Sequence, residues 1–89
     1  MFKEWLDRRT TMEECENNNL VNDERLGPKP VPFGFQNNEW LTFIRQIQEG
    51  DELWEFVSPL DTWGKLCGRA GICLVRNGEI IDEIITMKN

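Results

Sequence analysis

The sequence predicts an α+β fold. The expected architecture is a three-stranded antiparallel sheet, a meander with a short helix between strands 1 and 2, packed against a helix and preceded by an N-terminal helical segment and a Pro-rich strap. Three observations carry this. Residues 38–49 repeat apolar side chains at helical spacing and close on Gly50. Residues 51–57 alternate as a strand. Two β-branched runs flank Asn77-Gly78, the strongest short hairpin signal a sequence offers.

The chain reads as one domain, 1–89, in three parts: an N-terminal helical segment at 1–26, a strap at 27–36 and an α+β core at 37–89. In the first part Phe2, Trp5 and Leu6 share a helical face, and Met12 and Cys15 continue it loosely. Thr10-Thr11-Met12-Glu13-Glu14 holds the Thr-x-x-Glu cap pattern twice, so a fresh helix start is expected there, stopped by Asn17-Asn18-Asn19. Gly27 to Gly34 contains three of the four prolines and reads as extended backbone, with Phe33 and Phe35 needing burial just after it. Lys29-Pro30-Val31-Pro32 fits packing along its own domain better than a proline-motif ligand.

In the core, Asn38 is the expected cap of a helix carrying Trp40, Ile44 and Ile47 inward. Along the next strand Trp54 and Phe56 share one face with Glu52, while Leu53 and Val57 share the other with Glu55. Ser58-Pro59-Leu60-Asp61 opens a short helix, with Ser58 as cap, that runs to Cys67 before Gly68. A two-residue Asn77-Gly78 loop pairs Arg76 with Glu79, Val75 with Ile80 and Leu74 with Ile81. The isoleucines at 80, 81, 84 and 85 also fit a helical stripe; the turn and the β-branched content decide for a strand. Ile81 and Ile85 then lie on one face and Ile80 and Ile84 on the other, so both faces need cover. Phe2, Trp5 and Leu6 are the nearest unassigned apolar material to cover the face of Ile81 and Ile85, from the same chain or exchanged with a second subunit.

Composition narrows function by exclusion. Sixteen acidic against ten basic residues give −6, which disfavours direct binding to a nucleic-acid backbone or an anionic membrane. No apolar run is long enough to span a bilayer, and the first residues do not read as a signal peptide. There is no histidine, which removes Ser–His–Asp and Cys–His catalysis and histidine metal sites. Cys15, Cys67 and Cys73 are an odd number without zinc spacing and read as small hydrophobes in a reducing cytoplasm. No cofactor and no metal are expected.

From Gly50 onward, Gly50-Asp51-Glu52-Leu53-Trp54-Glu55-Phe56, Ser58-Pro59, Trp63, Gly68-Arg69-Ala70-Gly71 and Arg76-Asn77-Gly78-Glu79 resemble small uncharacterised bacterial proteins of mobile-element or integron-cassette type. The resemblance covers the C-terminal half alone. It implies a fold and no catalytic or ligand residue.

The candidate site residues are Trp54, Trp63, Arg69, Glu52 and Asp61. Four tryptophans are more than so small a core buries completely, and exposed Trp beside Arg is the usual composition of a protein-binding hot spot. Gly68-Arg69-Ala70-Gly71 presents a planar cation on a backbone free to turn, suited to a carboxylate or phosphate; the plainer reading pairs Arg69 with Asp61, Asp51 or a carbonyl. Glu52 and Glu55 lie three apart in a strand, hence on opposite faces, and do not form an acid–base pair. The leading expectation is a non-enzymatic protein–protein interaction module, with a homodimer as one form of it. The alternative is a small-ligand or anion-binding protein, or a weak enzyme, built on Trp54, Trp63 and Arg69.

Overall fold

The computed structural model describes residues 3–89. Phe2, one of the expected interface residues, lies outside them. The sheet has four strands, not three, and this corrects the expected architecture. Strand β1 (Leu6–Thr10) lies at one edge, followed across the sheet by β4 (Glu52–Val57), β5 (Arg69–Arg76) and β6 (Glu79–Lys88), all antiparallel. Helix α1 (Met12–Asn18) follows β1; a two-strand ladder pairs β2 (Leu20–Val21) with β3 (Val31–Pro32); α2 (Asn37–Ile44) precedes β4, and α3 (Leu60–Gly64) joins β4 to β5.

The expected N-terminal helix is confined to α1, and Leu6–Thr10 is extended instead. Its charges explain the choice. Arg8 Nε lies 2.6 Å from Glu55 and Arg9 Nη1 3.5 Å from Glu52, both on the neighbouring strand, so the segment completes an edge of β4 that would otherwise be unpaired. Helical spacing of Trp5 and Leu6 loses to that tertiary pairing. Thr11 caps α1, its Oγ1 accepting from Glu14 N–H at 3.1 Å.

Other boundaries shift for identifiable reasons. Helix α2 starts at Asn37 and ends at Ile44, short of Glu49, because the following backbone is held by the sheet: Arg76 Nη2 donates to the Gln46 carbonyl at 3.0 Å, and Asp51 accepts from Gln48 N–H at 2.8 Å. Asn38 does not cap it. Ser58 does not cap α3 either; its hydroxyl accepts from Arg69 N–H at 2.9 Å and lies 2.7 Å from Thr62 Oγ1. Helix α3 stops at Gly64, and Leu66 turns the chain at φ 61°. The strap is not wholly extended: Val31–Pro32 joins the small ladder and Gly34–Gln36 makes a 3-10 turn.

The hairpin pairs Arg76 with Glu79 and Val75 with Ile80 as expected, but Leu74 opposes Asp82 instead of Ile81. Ile81 is an extra residue in β6, a bulge that shifts the side chains from Asp82 to Ile85 to the other face, before a second bulge at Thr86. The faces therefore differ from the expected ones. Ile84 packs with Leu53, Ile72 and Leu74 under α1 and α2, against Cys15, Phe33, Trp40 and Phe43. Ile80 and Ile85 turn together to the opposite face, and Ile81 is 39% exposed.

The first core centres on Trp40, fully buried, stacked on Phe33 at 4.3 Å and donating its indole N–H to Glu16 at 2.8 Å. Phe35 escapes this core; it is 68% exposed under the Arg25 guanidinium. Among the described residues both α-helices that cover the sheet centre, α1 and α2, lie on this one face. The molecule is accordingly flat, 39 × 37 × 17 Å, with a radius of gyration of 13.7 Å against about 12 Å for a compact chain of this length. Among the described residues no helix is long and apolar enough to cross a membrane.

Candidate functional site

The face away from the helices is the candidate site. Strand pairing and alternation arrange it in rows across the sheet. The first row is Glu52, Val75 and Ile80; the second is Arg9, Trp54, Cys73 and Glu83; the third is Leu6, Phe56, Gly71 and Ile85; the fourth ends in Arg69 and Lys88. Trp5, from the 3-10 turn Lys3–Trp5, and Leu6 pack against the cluster of Phe56, Cys73 and Val75. That turn is the one element laid on this face among the described residues, so Trp5, Trp54, Ile80 and Ile85 stay half-buried. The face has an apolar middle and a charged rim, the anatomy of a protein-binding surface.

At its edge beside β1, Trp54 donates its indole N–H to Glu52 at 2.9 Å, and the Arg9 guanidinium lies over the indole ring, 5.9 Å from its centroid. The expected pair of Trp54 and Glu52 is thus brought together, with Arg9 instead of Arg69 beside it. Trp63 and Asp61 are elsewhere. Trp63 sits on α3 over Gly68, where a Cβ would come within 2.1 Å of the ring, and donates to the Ser58 carbonyl at 3.1 Å. The Asn89 amide fastens that corner, donating to the Trp63 carbonyl at 2.6 Å and accepting from Gly68 N–H at 2.8 Å. Asp61 is exposed and lies 3.8 Å from Lys65. Trp63 is therefore a structural residue of a corner, and the expected five-residue site divides in two.

Arg69 does not take the pairing that its neighbours suggested. Asp51 is engaged by Arg76 at 2.8 Å, which holds its carboxyl down to about 2, through the Arg76 hydrogen bond first and the Gln48 N–H second. Arg69 instead lies directly opposite Lys88, two like charges without a counter-ion among the described residues. Gly71 is not in a turn, since β5 begins at Arg69 and Gly71 lies within it.

Among the described residues the one thiol of this face is not poised as a nucleophile. Cys73 is fully buried, and burial, with Glu83 adding, pushes its thiol up to about 12. Cys15 is raised for the same first reason on the helix side. Concavities elsewhere are shallow: one of about 300 Å³ is lined by Asp7, Asn18, Asn19 and Glu55 with Ile72 and Thr86, on the helix side of the sheet. Among the described residues no group of three acidic or thiol side chains is placed to hold a metal.

Sequence reasoning missed Arg9, Glu83 and Lys88. For Arg9 a signal existed: Arg8-Arg9 matches the acids Glu52 and Glu55 at strand spacing, which favours a β pair over a helix. Glu83 and Lys88 depend on two bulges in β6, at Ile81 and Thr86, which have no local sequence mark. No known protein family, curated protein or solved structure matches this chain.

Proposed function

We propose that this chain is a non-enzymatic protein-binding module, working in the cytoplasm, whose docking surface is the open face of its sheet. The observation that carries the reading is the half-buried apolar row around Trp54, without a helix layer among the described residues while the opposite face carries α1 and α2. Trp54 under Arg9 is the anchor: an aromatic and an arginine at the margin of an apolar patch supply most of the binding energy in interfaces of this kind. Three unpaired thiols support a reducing compartment.

A photo-crosslinking residue tests this. Placed at Trp54 it forms protein adducts in living cells, whereas the same residue at Thr42, exposed on α2, forms none. Adducts at Thr42 alone, or at neither position, refute the reading. A second reading rests on Arg69 and Lys88, whose opposed charges lack a counter-ion and would accept a small anion. Inorganic phosphate at about 100 times its dissociation constant would then raise stability by roughly 2.7 kcal/mol, and an unchanged melting temperature removes it.

A further inference from the structure

We infer that the occupant of the open face is a second copy of this chain, docked about a two-fold axis that lies across the strands. The inference rests on the open face being the binding surface and names its partner.

The charges on the face set the geometry. Glu52, which already meets Arg9 and Trp54 of its own chain, and Glu83 stand in the first and second rows, and the bases Arg69 and Lys88, without a counter-ion among the described residues, stand in the fourth. A two-fold axis across the strands turns the face end over end. The basic end of each copy then covers the acidic end of the other, twice. Arg69 comes toward Glu52 and Lys88 toward Glu83 of the second copy, while Trp54 comes over the row of Phe56. A surface that carries its own complement at its two ends is what a symmetric contact requires. The arrangement also gives the opposed pair Arg69 and Lys88 the counter-ions missing from the single chain.

Size and layering agree with this. The whole molecule measures 39 × 37 Å in plan. Its four strands, about 4.8 Å apart and about 20–30 Å long, make a sheet face on the order of 500 Å² in plan. A standard interface of about 800 Å² per partner therefore also takes in the side chains and turns at the rim. Two copies stacked this way form four layers, helix, sheet, sheet, helix, with the Lys3–Trp5 turn of each copy lying beside Phe56 between the two sheets. Each then has the second apolar layer that a thickness of 17 Å denies it alone.

Joining edge to edge is blocked by the chain's own side chains. Along β6 the Gln36 amide donates to the Ile85 carbonyl at 2.8 Å, Asp82 accepts from Glu83 N–H at 2.8 Å, and bulges interrupt the strand at Ile81 and Thr86. At the other edge, β1 bulges at Asp7 and carries Arg8 and Arg9. A second copy is steered from the edges to the face.

Charge exchange tests the geometry. Sedimentation velocity is run on the intact chain, on Glu83→Lys, on Lys88→Glu and on an equal mixture of the two variants, with near-ultraviolet circular dichroism as the check on folding. The intact chain is expected to dimerise. Each variant alone dimerises at least about tenfold more weakly, and the mixture recovers association because each supplies the charge the other lacks. Arg69→Glu replaces Lys88→Glu if the latter disturbs the Asn89 corner. Three results overturn the inference: an intact chain monomeric at about 100 µM, a dimer indifferent to both exchanges, or a mixture no tighter than its components. A monomer whose crosslinker at Trp54 captures a different protein overturns the second copy and leaves the binding-face reading standing. A monomer that captures nothing overturns both.

Discussion

At the scale of single residues, two positions show how local chemistry holds together the sheet that carries the binding face. Asp51 receives Arg76 through both carboxylate oxygens, at 2.9 and 2.8 Å, and ties the end of α2 to the start of the hairpin. Its carboxyl is held at about 2, below the ordinary value of 3.8. A depressed carboxylate adds stability that is fully present above 3.8 and is lost as pH falls through about 2. The stability advantage of the intact chain over Arg76→Met should therefore shrink across that window. Urea midpoints at a series of pH values measure it, and a constant difference down to about 2 would refute the assignment. Gly71 is the second case. An added Cβ would meet the Ile84 carbonyl oxygen at 2.0 Å, where the Thr86 bulge presses β6 onto β5, and a backbone atom cannot step aside. Gly71→Ala should cost about 1–3 kcal/mol or more, lowering the melting temperature by at least about 5 °C. A melting temperature within a degree of the parent would show that the strands can part there.

At the scale of elements, legibility followed how local the deciding interaction is. Helix α2, strand β4 and the Asn77-Gly78 turn are set by periodicity and turn chemistry within a few residues and were readable as elements, although Asn38 does not cap α2 and the helix ends at Ile44 instead of Glu49. Strand β1 is set by Glu52 and Glu55, more than forty positions away in the chain, so its five residues looked helical when read alone. The same holds for the site. Trp54 and Glu52 could be assigned to one face from alternation. Ile81 could not be assigned correctly, because one inserted residue reverses the faces from there to the next bulge at Thr86 and carries no sequence mark. If β1 is recruited by β4 as its missing edge, deleting Met1 to Thr10 removes both the Arg8–Glu55 and Arg9–Glu52 pairs and the Trp5 and Leu6 cover of Phe56. The shortened chain should lose more than about 10 °C of thermal stability and bind an apolar dye at its open face. A shortened chain that melts with the intact one and stays dye-silent would mean that β1 is an ornament on a three-stranded core.

At the scale of the whole molecule, what matters is an imbalance between layers. Helices α1 and α2 and the Phe33–Trp40–Phe43 stack complete one side of the sheet, whereas the other side has, among the described residues, a three-residue turn. Composition already hinted at this, since four tryptophans and the last-strand isoleucines exceed what one small core absorbs. It could not say which of them were left over. That depended on the β6 bulge, which sends Ile80 and Ile85 to the open side together, and on β1, which brings Arg9 to Trp54. A chain that completes its second layer with another copy must have a stability linked to its own concentration, because association stabilises the folded state by mass action. Scanning calorimetry at two concentrations about a hundredfold apart should show the melting temperature rise by several degrees at the higher one, as expected when roughly 2.7 kcal/mol of binding free energy is added. Lys88→Glu should flatten that dependence and, because it turns the like-charge pair with Arg69 into an opposite-charge one, leave the dilute melting temperature no lower than that of the parent. If the melting temperature is the same at both concentrations, the open face is stable in water as it stands, and the flat shape of the single chain is its working form.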